Sequence, residues 1–203
     1  MEKESSPPRT FPDMSHPGLG VGTWSWGDGP FWGYGADHQP GDVVDAFLAS
    51  VRAGVRLFDT AEVYGHGASE KILGWMARRA EVPLTLATKF APLRGRGGAR
   101  ALVPALRASL RRMGVASVAL YQAHWVDRDE ATVAALADAL AEAVHLGLAA
   151  RVGVSNFSAA ELIEAHERLA SHGVALATQQ VRYSLLHREP ERDGVLEACR
   201  ARG

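Results

Sequence analysis

Short apolar segments that each end in a polar residue recur along the chain at a nearly constant interval. The polar residues that end them stand 30, 35, 31 and 25 residues apart, and they are Asp59, Lys89, His124, Ser155 and Gln180. A strand, a crossover helix and two loops occupy about 30 residues, so the interval predicts a repeated βα unit. Because the carboxyl ends of parallel strands lie on one face of a barrel, we expect these five polar groups to converge there.

The apolar segments are nearly continuous, which is typical of strands that are buried on both faces of a parallel sheet. They predict strands over residues 55–59, 84–89, 118–124, 150–155 and 176–180, with a first strand over 20–23. Apolar residues at threefold and fourfold spacing predict helices over residues 43–53, 69–80, 100–113, 130–145 and 159–172. The order of elements is therefore a strict alternation of strand and helix.

This alternation favours an α/β fold. We expect a (β/α)8 TIM barrel that is incomplete, with about six of the eight βα units present. An open doubly wound sheet would give the same alternation, but it would bind ligands mainly at a switch point. Residues 1–17 contain four prolines and few apolar residues, so we expect a disordered N-terminal tail, and residues 18–203 are the predicted barrel domain. The chain stops before a seventh strand, which suggests a C-terminally truncated protein.

Composition limits the kinds of partner. The formal net charge of -1 gives no sign of binding to nucleic acid or to an anionic membrane surface. The apolar stretch over residues 131–150 contains Asp138, Glu142 and His145 and is too polar to span a bilayer. The single cysteine, Cys199, rules out a disulfide within the chain and suits a cytoplasmic protein. The eight histidines lack the spacing of metal ligands, so we expect no metal site.

The strand ends carry sequence motifs in a fixed order. They read FDTAEVYG at 58–65, ATK at 87–89, QAHW at 122–125, GVSNF at 153–157 and QQVRYS at 179–184. Together with GVGTW at 20–24, these segments resemble the aldo-keto reductase family, except that Gln179 replaces the usual Asn. The resemblance covers residues 18 to about 190, and the first loop resembles the plant and cyanobacterial branch with pyridoxal reductase-like members. It implies NAD(P)H-dependent reduction of aldehyde and ketone carbonyls to alcohols.

The resemblance also implies a catalytic set of Asp59, Tyr64, Lys89 and His124. Carbonyl reduction needs an acid that protonates the developing alkoxide, and a free tyrosine, with a pKa near ~10, is a reluctant one. A nearby ammonium favours the phenolate, so Lys89 is expected to tune Tyr64 while Asp59 holds Lys89 in place. His124 is expected to orient the carbonyl by a hydrogen bond, although a histidine at a strand end is equally compatible with a core position.

The cofactor implied by the resemblance is NADPH. Ser155, Asn156 and Gln180 match the residues that bind the nicotinamide carboxamide, and Thr23 and Asp59 would lie near the nicotinamide ribose. Hydroxyl and amide groups can meet both the donor and the acceptor of a carboxamide. The family's strands seven and eight, which bind the rest of the cofactor, have no counterpart in these residues. We therefore expect the 203-residue chain by itself to be unstable or nearly inactive.

The substrate side is the least defined part of the sequence. The resemblance implies that Trp24 and Trp125 line the pocket for a small-molecule carbonyl substrate. Further aromatic residues in the loop over residues 25–40 could form an apolar wall of this pocket or pack on the barrel rim, and they are Trp26, Phe31, Trp32 and Tyr34. The sequence leaves both alternatives open, and it indicates neither the particular carbonyl compound nor the oligomeric state.

Other functions explain the pattern less well or are left open. A Rossmann dehydrogenase would need its glycine loop to open a helix, but the glycines at 18, 20 and 22 lead into a long aromatic loop. A non-catalytic, cofactor-sensing subunit of the same fold, like the β subunits of potassium channels, keeps the same residues and stays an alternative. The other alternative is that the chain is an inactive fragment.

Overall fold

The computed structural model describes residues 18–202, so the predicted tail over residues 1–17 lies outside the described residues. Within this range the strands are β1 (Gly20–Gly22), β2 (Leu57–Asp59), β3 (Thr85–Phe90), β4 (Val118–Ala123), β5 (Ala149–Ser155) and β6 (Leu176–Gln180). They form one six-stranded sheet in sequence order, and each strand pairs in parallel with the next. This is the strand order of an open portion of a (β/α)8 barrel, which confirms the predicted fold class.

A helix follows each of the first five strands, and short helices flank this regular set. In chain order they are α1 (Gly29–Trp32), α2 (Pro40–Arg52), α3 (Ala68–Ala77), α4 (Leu102–Met113), α5 (Val133–His145), α6 (Ala159–Ser171), α7 (Glu189–Arg192) and α8 (Val195–Arg200). The sequence predicted a helix after the sixth strand without bounds, and it did not predict the short helix α1 or the division into α7 and α8. Among residues 18–202, no helix is long and apolar enough to cross a membrane.

Helix ends follow local hydrogen bonding more closely than apolar periodicity. Helix α5 begins at Val133 instead of near 130, because the Thr132 side chain accepts a hydrogen bond from the Ala135 N–H and caps the helix. Helix α6 begins at the predicted capping box, in which Ser158 and Glu161 bond each other reciprocally. The pattern therefore locates the helices α2 to α6, and capping residues set the first turn of α5 and α6.

The core lies between the sheet and the helices on its outer side. Every residue of β3 and β4 is buried, as expected for strands covered on both faces. The larger apolar cluster joins these strands to α4, α5 and α6, and its fully buried members include Leu106, Tyr121, Leu136, Leu140 and Leu169. A second cluster under α2 and α3 contains Trp26, Phe47, Phe58 and Leu73.

A buried polar group fixes α3 against β3 and α4. The Glu70 carboxylate is fully buried, and one of its oxygens accepts a 2.7 Å hydrogen bond from the Thr88 hydroxyl. The other oxygen accepts from the Arg112 guanidinium, which also donates to Ser109 at 2.9 Å. Because a buried carboxylate needs such partners, this group sets the position of Thr88 on β3. Its neighbour Lys89 is thereby held in place as well.

Truncating the centre of the larger cluster should cost substantial stability. The change Leu140→Ala is expected to lower the free energy of unfolding by about 2–5 kcal/mol, because the removed methyl groups are fully buried. Urea titration followed by circular dichroism measures this change. The matched control is Leu146→Ala, where the side chain is 47% exposed and a loss within about 0.5 kcal/mol is expected. Equal losses for the two variants would contradict this assignment of the core.

Candidate active site

The strand ends place the predicted site residues on one face of the sheet. The backbone continues from strand to strand beyond the regular pairing, since the His124 N–H donates to the Phe90 carbonyl at 2.9 Å and the Asn156 N–H to the Gln180 carbonyl at 2.9 Å. These bonds join the loop after one strand to the end of its neighbouring strand. The face therefore gathers the residues predicted at the strand ends, which are Asp59, Lys89, His124, Ser155 and Gln180.

A buried ion pair lies at the centre of this face. The Lys89 ammonium donates to Asp59 Oδ2 at 2.5 Å and to the Thr60 carbonyl at 2.9 Å. The Lys89 side chain is 1% exposed and the Asp59 side chain 15%. Burial lowers the pKa of Lys89, and the Asp59 carboxylate opposes that shift by its charge and its hydrogen bond. The pairing predicted from sequence is therefore present, and it offsets part of the cost of burying the ammonium.

Tyr64 enters the site from a tight helical turn, Tyr64–Gly67. Gly65 has a φ of 53°, and a Cβ at this position would lie 2.5 Å from the Gly27 carbonyl oxygen, so the turn needs glycine. The turn brings the Tyr64 ring centroid to 5.1 Å from the Lys89 ammonium. The His124 ring meets the Tyr64 ring edge-on, with their centroids 5.6 Å apart. A chain of contacts therefore links the four residues predicted to act together, from Asp59 through Lys89 and Tyr64 to His124.

The pKa of Tyr64 shifts in the direction opposite to that expected from sequence. Burial raises the pKa of Tyr64 well above its ordinary value, and the charge of Asp59 raises it further. Burial, and then the charge of Asp59, outweigh the lowering of the Tyr64 pKa that was expected from Lys89. As a result, the Tyr64 hydroxyl keeps its proton at neutral pH and is available as a hydrogen-bond donor.

His124 is held as a neutral imidazole. Burial, followed by the nearby charge of Lys89, lowers the pKa of His124 from 6.5 to about 3. Its Nδ1 atom is buried and has no hydrogen-bond partner among the described residues. A neutral imidazole has one N–H and one lone pair, so His124 can donate a single hydrogen bond without carrying charge.

The predicted cofactor residues form a polar shelf beside the ion pair. Asn156 has a φ of 57°, and its Nδ2 donates to the His124 carbonyl and to Ser155 Oγ, both at 3.0 Å. The Gln180 Nε2 donates to Asp59 Oδ2 at 3.2 Å. The Asn156 and Gln180 amides are both exposed on the open face. Two amides and a hydroxyl in this arrangement offer donors and acceptors together, which fits a carboxamide group.

Thr23 lies below this shelf. Its side chain is fully buried, and its hydroxyl contacts the Asp59 carbonyl at 3.0 Å and Ser69 Oγ at 2.7 Å. Ser69 in turn contacts the Thr60 hydroxyl at 2.8 Å. These three hydroxyls fix the end of β2 from beneath. The geometry therefore gives Thr23 a supporting contact with Asp59, while its own side chain does not reach the open face.

The aromatic residues of the first loop divide between core and surface. Trp26 is buried against Phe47 and Phe58 and packs on the barrel rim. By contrast, Phe31 and Trp32 are exposed and surround Trp24, which stacks on Phe31 at a centroid distance of 4.9 Å. The rim alternative therefore holds for Trp26, and the pocket-wall alternative stays a prediction for Phe31 and Trp32.

The rings around Trp24 and Trp125 reach the reactive groups. Trp24 stacks on Tyr64 with centroids 5.6 Å apart and an interplanar angle of 19°. The Trp125 ring centroid lies 4.8 Å from that of His124. Both tryptophans predicted to line a substrate pocket therefore contact a residue of the predicted catalytic set.

Two further residues at the site were not assigned a role from sequence. Gln122 is 2% exposed and reaches both Asp59 and Gln180 with its amide. Glu62 accepts from the Ala91 N–H at 2.8 Å and from both terminal nitrogens of Arg96. The alternation of strand side chains places Gln122 on the same face as His124, two residues away, and this signal identifies it. No comparable signal distinguishes Glu62 from a surface carboxylate.

The described residues offer no competing metal centre. Over residues 18–202, no group of three or more histidine, cysteine, aspartate or glutamate side chains is arranged to hold a metal ion. The charged and amide groups of the site instead satisfy one another. The arrangement can donate a proton from Tyr64, donate a hydrogen bond from His124 and bind an amide at the shelf.

Comparison with known proteins identifies relatives over nearly the whole described range. The family model described as the aldo/keto reductase family matches residues 18–203. A chloroplastic pyridoxal reductase of Arabidopsis thaliana is 33% identical over 193 residues, which cover 89% of this chain and 53% of the relative. The chain spans about half the length of the curated relatives it matches.

Solved structures agree with this comparison. The thermostable aldo-keto reductase Tm1743, crystallised with the inhibitor epalrestat, has a TM-score of 0.77 and 29% identity, covering 91% of this chain and 64% of its own. An aldo/keto reductase from Klebsiella pneumoniae, in complex with NADP and acetate, has a TM-score of 0.74 and 30% identity. The match to the Klebsiella structure covers 90% of this chain and 60% of the other.

Neutral, buried His124 should make stability depend on pH. His124 takes up a proton near pH 6.5 in the unfolded chain and near pH 3 in the folded chain. The free energy of unfolding is therefore highest above pH 6.5 and decreases as the pH falls from 6.5 towards 3. Relative to His124→Gln, the wild type should lose about 1.4 kcal/mol of unfolding free energy per pH unit below pH 6.5. Urea titrations at pH 7, 6 and 5 measure the two slopes, and equal slopes would show that His124 is charged in the folded protein.

Proposed function

This chain belongs to the aldo/keto reductase family, and we propose that it carries the active site of an NADPH-dependent oxidoreductase that reduces aldehyde and ketone carbonyls to alcohols. The observation that supports this most is the contact of Tyr64 with both Lys89 and His124 above the buried Asp59 carboxylate. An acid, a cation and a neutral hydrogen-bond donor are the groups that polarise and protonate a carbonyl oxygen.

The polar shelf is the proposed contact for the nicotinamide end of the cofactor. Ser155, Asn156 and Gln180 would hold the carboxamide, because their hydroxyl and amide groups supply the donors and acceptors that it requires. When bound, NADPH supplies the hydride for the carbonyl carbon. The Klebsiella relative was solved in complex with NADP, which supports NADPH as the cofactor here.

Tyr64 is the proposed general acid. Because burial and Asp59 keep its hydroxyl protonated at neutral pH, the proton is present when the carbonyl oxygen gains charge. An alkoxide is a stronger base than a phenolate, so the proton moves from the Tyr64 hydroxyl to the alkoxide oxygen. Lys89, 5.1 Å from the ring centroid, stabilises the phenolate that is left, and Asp59 keeps Lys89 in position.

His124 is the proposed positioning donor for the carbonyl oxygen. Its pKa of about 3 keeps the imidazole neutral, so its single N–H can bind the oxygen without competing as an acid. Trp24 and Trp125, which contact Tyr64 and His124, are the proposed walls for a small-molecule carbonyl substrate. We place the reaction in the cytoplasm, a prediction that rests on the single cysteine in the sequence.

Titration with NADPH tests the cofactor part of this proposal. Tryptophan fluorescence and the thermal midpoint of the 203-residue chain are followed together. The chain is expected to be only marginally stable, so binding should appear as saturable quenching with a raised midpoint, since a ligand that binds only the folded state stabilises it by about 2.7 kcal/mol at one hundred times its Kd. The control ligand is AMP, which lacks the nicotinamide. Quenching that does not saturate, or that AMP reproduces, would contradict the assignment of the polar shelf.

Removing the Tyr64 hydroxyl tests the chemical step. With protein in excess over NADPH and an aromatic aldehyde, so that even a slow turnover is measured, Tyr64→Phe should slow NADPH oxidation by about 10²–10⁴-fold. The affinity for NADPH should stay the same, because the ring and its stacking on Trp24 remain. The matched control is Tyr183→Phe, whose ring is exposed and whose hydroxyl donates to Glu191. A rate for Tyr64→Phe equal to that of this control would rule out Tyr64 as the acid.

A further inference from the structure

Three side chains from alternate strands meet inside the sheet and form a closed hydrogen-bonded ring. The Gln122 Nε2 on β4 donates to the Gln180 Oε1 on β6 at 3.2 Å and reaches Asp59 Oδ1 on β2 at 3.5 Å. The Gln180 Nε2 closes the ring by donating to Asp59 Oδ2 at 3.2 Å. Strands β2, β4 and β6 are not neighbours in the sheet, and side chains of alternate strands form such layers inside barrels.

The chemistry of the ring fixes the direction of every bond in it. A carboxylate only accepts hydrogen bonds, so both amides must turn their Nε2 atoms towards Asp59. This leaves the Gln122 Oε1 in need of a donor, and the Thr178 hydroxyl supplies one at 3.0 Å. The bonds therefore run from Thr178 to Gln122, from Gln122 to Gln180, and from both amides to Asp59.

A glycine in the strand between them makes this arrangement possible. Gly153 on β5 pairs with Gln122 on one side and with Thr178 on the other. A Cβ on Gly153 would overlap Thr178 Oγ1 and would lie 3.3 Å from the Cγ of Gln122. The missing side chain on β5 thus allows side chains of β4 and β6 to bond directly across it.

We propose that Gln122 is a positioning residue that sets the orientation of the Asp59 carboxylate and of the Gln180 amide through this ring. On the Asp59 side, its amide contacts Oδ1 while Lys89 takes Oδ2, so the carboxylate stays turned towards the ammonium. On the Gln180 side, one N–H and one lone pair are used, which leaves one of each for a ligand. The Gln180 amide is consequently held in one orientation, with its free N–H and its free lone pair at fixed positions.

The fixed orientation of the Gln180 amide matters for the polar shelf, on which the proposed function depends. A free glutamine amide can flip and exchange its donor for its acceptor at little cost. Here a flip would place the Gln180 Oε1 against the Asp59 carboxylate and its Nε2 against the Gln122 Nε2, and both contacts would be repulsive. Gln122 therefore selects one polarity for carboxamide recognition before any ligand binds.

Glutamine-selective ¹⁵N labelling tests the ring without a cofactor. The chain has four glutamines, at positions 39, 122, 179 and 180, so the side-chain amide spectrum of the full chain is simple. Gln122→Leu should accelerate solvent exchange of the Gln180 side-chain amide on the order of tenfold. The reason is that the Gln180 Oε1 loses the hydrogen bond from the Gln122 Nε2, so the Gln180 amide is no longer held in one orientation. Unchanged exchange at Gln180 would overturn the proposal.

A matched pair at Thr178 keeps the test valid if Gln122→Leu does not fold. Thr178→Val removes the hydroxyl but keeps the shape, and Thr178→Ser keeps the hydroxyl. Faster exchange of the Gln122 and Gln180 amides is expected in the valine variant alone. The same exchange rates in both variants, whether fast or slow, would show that the Thr178 hydroxyl does not orient the ring.

NADPH affinity separates this inference from the proposed function. Gln122→Leu and Thr178→Val should weaken NADPH binding on the order of tenfold relative to Thr178→Ser, since the shelf loses its fixed polarity. Wild-type affinity in both variants would overturn the positioning role of Gln122. Absence of NADPH binding to the wild type would instead contradict the proposed function, and the exchange data would then decide alone whether the ring orients Asp59 and Gln180.

Discussion

The buried pair of Lys89 and Asp59 is the interaction on which the rest of the site depends. Burying an ammonium costs free energy that a single ion pair often fails to recover, so such a pair is weak evidence for stability alone. In this chain it has additional partners, since the Thr60 carbonyl accepts from Lys89 and two glutamine amides donate to Asp59. The pair therefore has several hydrogen-bond partners at the place where its positive charge lies next to the Tyr64 phenol.

Separate contacts hold each loop that approaches this pair. Glu62 binds the Ala91 N–H and the Arg96 guanidinium, and this joins the loop after β2 to the loop after β3. From beneath, Ser69 bonds Thr23 and Thr60 and supports the end of β2. Because each strand end is fixed both by its sheet neighbours and by a side chain, the distances between reactive groups are set before a ligand arrives.

The sequence predicted the parts of the structure that depend on order and spacing. Near-continuous apolar segments located β2 to β6, and β6 has the predicted bounds although its residues are partly buried or exposed. The constant interval likewise predicted that Asp59, Lys89 and His124 meet. Those inferences require only that the strands are parallel and adjacent.

Properties that depend on packing were not available from the same pattern. The pKa of Tyr64 rises because burial and Asp59 act together, and the sequence names the neighbouring charges without giving their desolvation. Trp26 and Trp24 stand two residues apart in the same loop, yet one is buried and the other half-exposed. Likewise, the hydrogen bonds of Gln122 depend on Gly153 and Thr178, which lie on two other strands.

The stacked rings at the mouth of the site restrict how a substrate can approach. Phe31 covers one face of Trp24 and Tyr64 lies against its ring at 5.6 Å, so a planar substrate cannot insert between them without separating the stack. On the other side, Lys89 lies against the Tyr64 ring and His124 meets it edge-on. Under the proposed function, the approach that we expect runs along the ring edges towards the Tyr64 hydroxyl, beside the contacting rings of His124 and Trp125. Trp24 therefore holds the Tyr64 ring as well as forming part of the proposed substrate wall, and we expect the exposed Phe31 and Trp32 to extend this wall.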